Sequence, residues 1–138
     1  MASFHSPLDV RRLDNGNRWE VLSPFIYALD NEHFEYVEVH KGFVTDFASV
    51  PFPLSRVFAP VGKSWDKPSV IHDFLYWLPY VNRLGGKVRE LERGEADKIF
   101  LEAMKARGTP FLTRRAIYWG VRLGGWKAWD RYRETGYK

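Results

Sequence analysis

The spacing of apolar residues changes once along this chain, and that change limits the fold more than any other feature. Up to about residue 50, apolar positions alternate or cluster with β-branched and aromatic neighbours. Arg18-Trp19-Glu20-Val21-Leu22 and Phe34-Glu35-Tyr36-Val37-Glu38-Val39 read as strands, with turn chemistry at Asp14-Asn15-Gly16-Asn17 and Asp30-Asn31-Glu32. From about residue 66, apolar residues return every three or four positions, the period of a helix. Between the two lies a loop punctuated by Pro51, Pro53 and Pro60, with one short helical turn expected at 54–58. The expected fold is therefore α+β. It is one domain over 1–138, with a small N-terminal antiparallel sheet within 1–50 and about three helices within 66–132. A chain of 138 residues has room for one core, and 45% hydrophobic residues suffice to build it, which excludes a disordered tail.

The helical part can be read in more detail. Asp66 is the expected N-cap and Pro68 falls in the first turn. Val70, Ile71, Phe74, Leu75 and Leu78 then recur on one face, which predicts a helix over 67–78 ending near Pro79. Tyr80 to Glu90, with Gly85-Gly86, reads as a mobile connection. A second helix is expected over 95–107, with Ala96, Ile99, Phe100, Ala103 and Met104 on one face and Gly108-Thr109-Pro110 as the stop. A third is expected over 113–132. On an ideal wheel its small residues Ala116, Gly120 and Gly124 lie beside Ile117, Val121 and Leu123 as the core side, and Arg115, Arg122 and Arg133 interleave with Tyr118, Trp119, Trp126 and Trp129 on the other. This reading takes the helix to run on through Gly124-Gly125, a pair that would alternatively kink or end it.

Charge is uneven. Lys105 to Lys138 carries a local +7, while the other 104 residues sum to −3. Arg115, Arg122, Trp119 and Trp126 are accordingly candidate surface-binding residues for phosphate-bearing partners, lipid or nucleic acid, and a merely solvated helix face accounts for them equally well. No nucleic-acid-binding motif is present, so a nucleic-acid partner is not expected. The start lacks a basic segment followed by an apolar one, and no apolar run approaches the ~18 residues of a membrane span, so a soluble chain without a classical export signal is expected. With 0 Cys, disulfides, thiolate metal sites and cysteine nucleophiles are excluded.

The residues richest in chemistry are Ile71-His72-Asp73-Phe74-Leu75-Tyr76. On a helix His72 and Tyr76, four apart, share a face, and Asp73 points about 100° away. Asp97, among Ala96, Ile99 and Phe100, needs a partner if it is buried, and His72 is the natural one. If the two helices are antiparallel, Asp97 accepts from one imidazole nitrogen and leaves the other to take a proton from water. A core histidine bonded to a structural carboxylate accounts for the same residues. His5, His33 and His40 lack such neighbours and read as surface residues. In Thr45-Asp46-Phe47-Ala48-Ser49, Asp46 and the hydroxyls offer hard oxygen ligands to Ca²⁺ or Mg²⁺, with Asp73 as a further ligand; loop capping explains them as well. Ser49 lacks the Gly-x-Ser-x-Gly elbow of a nucleophile, and Leu84-Gly85-Gly86-Lys87 lacks the spacing of a phosphate loop. A metal phosphohydrolase built from His40, His72, Asp73 and Asp97 fails on context, because His40 falls on a strand.

The strings Gly42 to Pro51, His72-Asp73-Phe74-Leu75-Tyr76, Glu95-Ala96-Asp97-Lys98-Ile99-Phe100 and Tyr118-Trp119-Gly120-Val121-Arg122 resemble, in order and over roughly residues 20–130, the phage and prophage family called domain of unknown function 1353. That resemblance implies a phage or prophage origin, hence the host cytoplasm or the virion. More distantly, the His-Asp-x-x-Tyr helix is similar to that of phospholipase A2, especially its bacterial branch, with Asp97 on the following helix. This resemblance implies His72 as the base that activates water, Asp97 as its orienter and Asp73 as a calcium ligand, with Asp46 replacing a calcium loop that has no counterpart here. The disulfides of that family are absent too. The function expected is a small phage hydrolase with His72, Asp97 and Tyr76 in its catalytic site, acting on a lipid or cell-envelope ester. The alternative is a noncatalytic virion or tail component, or a host-interaction protein, whose partners are other phage proteins.

Overall fold

The computed structural model describes residues 2–5, 7–13, 18–45 and 64–135. Eight strands and four helices lie among these residues. In chain order they are β1 (Ser3–Phe4), β2 (Val10–Arg12), β3 (Trp19–Val21), β4 (Phe25–Ala28), β5 (Tyr36–Val39), β6 (Val44–Thr45), α1 (Asp66–Trp77), β7 (Tyr80–Arg83), β8 (Lys87–Glu90), α2 (Arg93–Ala106), α3 (Phe111–Gly124) and α4 (Trp126–Thr135). The fold is α+β, as expected. Two antiparallel sheets, ordered β1-β4-β5-β7-β8 and β2-β3-β6, accompany the helices. Asp46, Ser49, the turn at 14–17 and the helical turn expected at 54–58 lie outside the described residues.

Alternation fixes which side of the large sheet faces inward. Phe25 and Tyr27 on β4 and Val37 and Val39 on β5 are fully buried, whereas Ile26, Tyr36 and Glu38 point to the other face and stay part-exposed. The buried set meets Val70, Ile71, Phe74 and Leu75 of α1 in the main core, and a second cluster forms where Phe100 and Met104 of α2 meet Ile117 and Val121 of α3.

Tyr80 to Glu90 is not a mobile connection. β7 and β8 form a hairpin that extends the sheet, paired from Tyr80 with Glu90 to Arg83 with Lys87. Gly85 and Gly86 adopt φ of 81° and 76°, in the left-handed region that a side chain would resist, and so reverse the chain within three residues. α1 spans 66–77 against the expected 67–78, with Asp66 as its first helical residue rather than its cap. α2 starts two residues before the expected Glu95, because Glu92 and Glu95 form a reciprocal capping box.

The third expected helix is two. Gly125 separates α3 from α4, and a Cβ there would fall 2.5 Å from the Tyr76 hydroxyl and 2.5 Å from the Val121 carbonyl, so only glycine admits this approach. The expected core side is corrected as well. Ile117 and Val121 are buried, but Ala116, Leu123 and Gly124 are exposed, because α2 receives the branched side chains and not the small-residue stripe.

Candidate functional site

α1 and α2 run antiparallel. Asp66 meets Arg107 at one end of the pair (3.5 Å) and Tyr76 meets Arg93 toward the other (3.5 Å). The helical period then brings His72 and Tyr76, one turn apart, onto the α2 face where Asp97 sits. His72 Nε2 lies 2.7 Å from Asp97 Oδ1, and the Tyr76 hydroxyl donates to the same oxygen at 2.6 Å. Oδ2 accepts from Arg122 Nη1 at 2.7 Å and from Arg93 Nη1 at 3.4 Å. The aspartate has no exposed surface, and His72 retains 3%.

Burial alone would raise the Asp97 pKa. The hydrogen bond from His72, then the bonds from Tyr76 and Arg122, outweigh it and hold the carboxyl below its ordinary value. An ionised carboxylate only accepts, so Nε2 is the protonated nitrogen toward it. His72 Nδ1 is therefore the ring atom left over, and it is buried without a hydrogen-bond partner among the described residues. Tyr76 is pushed the other way: burial, then its bond to the Asp97 anion, raises the phenol, which stays a donor. The imidazole is wedged between Tyr76 and Phe100, with ring centroids 4.2 and 4.5 Å away.

The match to the family model for the protein of unknown function DUF1353 runs over residues 19–121. The chain belongs to the DUF1353 family. No curated protein matches it, and no solved structure does. The DUF1353 match takes in His72, Tyr76, Arg93 and Asp97 and ends one residue before Arg122.

The other expected site residues do not gather there. Asp73 is 5% exposed, with the Tyr132 hydroxyl 3.4 Å from Oδ1. Among the described residues no group of three or more His, Asp or Glu side chains is placed to hold a metal ion, the set His40, His72, Asp73 and Asp97 included. Arg122, expected on the outer surface, instead turns inward to Asp97, because its long side chain reaches past the edge of α3. Arg115, Trp119 and Trp126 are exposed, as expected.

Two features of this DUF1353 protein escape a reading of its sequence. Arg93 joins the Asp97 cluster and also donates to the carbonyls of Val121 (3.2 Å) and Arg122 (3.3 Å), tying α3 to α2. Glu35 is a second buried carboxylate. It accepts from Arg83 Nε at 2.8 Å, Arg89 Nε at 2.7 Å and Asn31 Nδ2 at 2.8 Å. Hydrogen bonds from Arg89 lead the groups that lower its pKa to about 2, against burial, which raises it. The i, i+4 spacing of Arg93 and Asp97 was a usable signal; Arg83 and Arg89 lie 48 and 54 residues from Glu35, and no local pattern announces them.

Proposed function

We propose that this protein is a small hydrolase in which His72 is the general base and Asp97 the group that orients it, acting on an ester of a lipid or cell-envelope substrate in a phage or prophage setting. The observation that carries the reading is the pairing of Nε2 with Asp97 while Nδ1 is buried and has no partner among the described residues. A neutral imidazole so held presents its lone pair at Nδ1. The proposed step requires water and the ester to reach Nδ1, which is covered in this structure; there Nδ1 takes a proton from a water whose oxygen bonds to the ester carbonyl carbon. Collapse of the tetrahedral intermediate breaks the bond to the alcohol oxygen, which leaves with the proton from Nδ1. Tyr76 steadies Asp97 from the side. The resemblance of His72, Tyr76 and Asp97 to the phospholipase A2 helix pair supports this arrangement.

Calcium is the weaker part of the reading. A hard cation takes about six to eight oxygens, and among the described residues Asp73 belongs to no group of three or more His, Asp or Glu side chains placed to hold one, with Asp46 outside them. No step here is routed through the metal. Calorimetric titration with Ca²⁺ tests it directly: saturable binding lost in Asp73→Asn supports calcium at this position, and no binding removes it.

The hydrolase itself is tested with soluble p-nitrophenyl esters and mixed phospholipid micelles. His72→Ala should lower turnover by about 10²-fold or more with an unchanged far-UV circular dichroism spectrum. Equal turnover in the variant, or none in the wild type, overturns the reading. The four donors around Asp97 favour a second reading, in which the cluster only fastens helices and the protein is a noncatalytic virion or tail component. Stoichiometric recovery from purified virions of a protein without esterase activity would establish that alternative.

A further inference from the structure

Between Glu102 and Asp130 the chain holds six Lys or Arg residues and no acidic one. Within that stretch α3 has a buried edge, Ile117 and Val121, and an opposite edge that is also apolar. Leu112, Ala116, Trp119 and Leu123 recur at spacings of four, three and four, which places them within an arc of about 60° over a length of about 16 Å. Leu112 is 79% exposed and Leu123 76%, with Trp119 at 56%. Phe111 and Trp126, at the two ends of this ridge, are exposed as well. An apolar strip of this size is uncommon on a water-facing helix.

We propose that this ridge docks on an anionic lipid surface. Exposure near four-fifths belongs to a crest and not to a groove, so the ridge suits a soft planar partner better than an inserted peptide. The cations are placed on the aromatic rings: the Arg115 guanidinium lies 5.5 Å from the Phe111 ring centroid and the Lys127 ammonium 5.6 Å from that of Trp126. Neither has a carboxylate partner among the described residues. Indole and phenyl rings at headgroup level with cations beside them match a layer of phosphates over acyl chains. A second copy of the chain fits poorly, because α3 has three arginines and no acid, and self-pairing would set like charges together. Arg122 takes no part, since its charge is committed to Asp97. The inference does not rest on the hydrolase reading.

Co-sedimentation of the purified full chain with vesicles tests it. Vesicles of phosphatidylcholine mixed equally with phosphatidylglycerol should bind at least about tenfold more tightly than phosphatidylcholine alone, with the difference collapsing in high salt. The double variant Leu112→Asp/Leu123→Asp should lose about 10²-fold in vesicle affinity, and Arg115→Glu about tenfold. All three sites are exposed, so circular dichroism and melting should be unchanged. Equal binding to both vesicles, binding indifferent to these variants, or no vesicle binding overturns the proposal. A dimer in sedimentation equilibrium that the double variant dissolves would assign the ridge to a second copy and overturn it likewise.

Discussion

Asp97 and Glu35 are both buried carboxylates gripped by two arginines, yet only one of them has a proton to share beside it. Around Glu35 the partners are the guanidiniums of Arg83 and Arg89 and the amide of Asn31, and Arg89 passes on to Glu95 at the start of α2. That cluster joins the loop before β5, the β7–β8 hairpin and α2 with fixed charges. Asp97 has Arg93 and Arg122 on one oxygen and the titratable pair His72 and Tyr76 on the other, with a further ring nitrogen unclaimed. A network whose carboxylate is held by guanidiniums and an amide serves cohesion, whereas one that holds an imidazole with a second, unpartnered nitrogen among the described residues retains chemical capacity. The contrast argues for function at Asp97 better than burial alone, since burial is common to both.

The comparison can be broken by mutation. Asp97→Ala strands two guanidiniums, an imidazole and a phenol, and should cost about 3–5 kcal/mol, read as a fall in the urea midpoint without a change in slope. Glu35→Ala should cost less, about 3 kcal/mol, because Arg83 and Arg89 keep 36% and 32% of their side-chain surface in water. The same site carries a pH signature. Glu35 is shifted down from 4.5 to about 2, so its stabilisation is complete above 4.5 and drains away as pH falls toward 2. Glu35→Gln should therefore flatten the acid limb of a stability profile over that window, and an unaltered limb would show that the arginines do not hold this carboxylate. Gly125→Ala presses on the Tyr76 hydroxyl and should cost about 2 kcal/mol while leaving the acid limb as in the wild type. Tyr76→Phe, which removes one of four donors, should cost about 1 kcal/mol in thermal melts.

Much of the helical half was legible because its signals are local. Pro68, the apolar repeat through Leu75 and the stop after Met104 placed α1 and α2 to within two residues, and the four-residue spacing of His72 and Tyr76 put both against Asp97. The β7–β8 hairpin was hidden because half of its residues are charged or polar and its glycines carry the signs of a loop as readily as of a tight turn. An ideal wheel fails for Arg122, since it assigns a direction to Cα and not to the end of a long side chain. The small-residue stripe misled for a related reason. It marks where a neighbour could approach closely, but Ile117 and Val121 bury more apolar surface against Phe100 and Met104. Glu35 depends on strand pairing between distant segments, which no window of sequence contains.

Arg133, near the C-terminal end of α4, donates to the carbonyls of Tyr76 (2.6 Å) and Trp77 (3.0 Å), closing the end of α1 that His72 occupies one turn earlier. Trp129, one turn before it, sets its ring edge-on to Tyr76. During synthesis from the N-terminus, then, the histidine and its aspartate emerge well before the groups that clamp them. A chain interrupted at Gly125 would hold the His72–Asp97 pair with the last turn of α1 frayed and Tyr76 uncovered, so the end of α1 is closed only once α4 has left the ribosome.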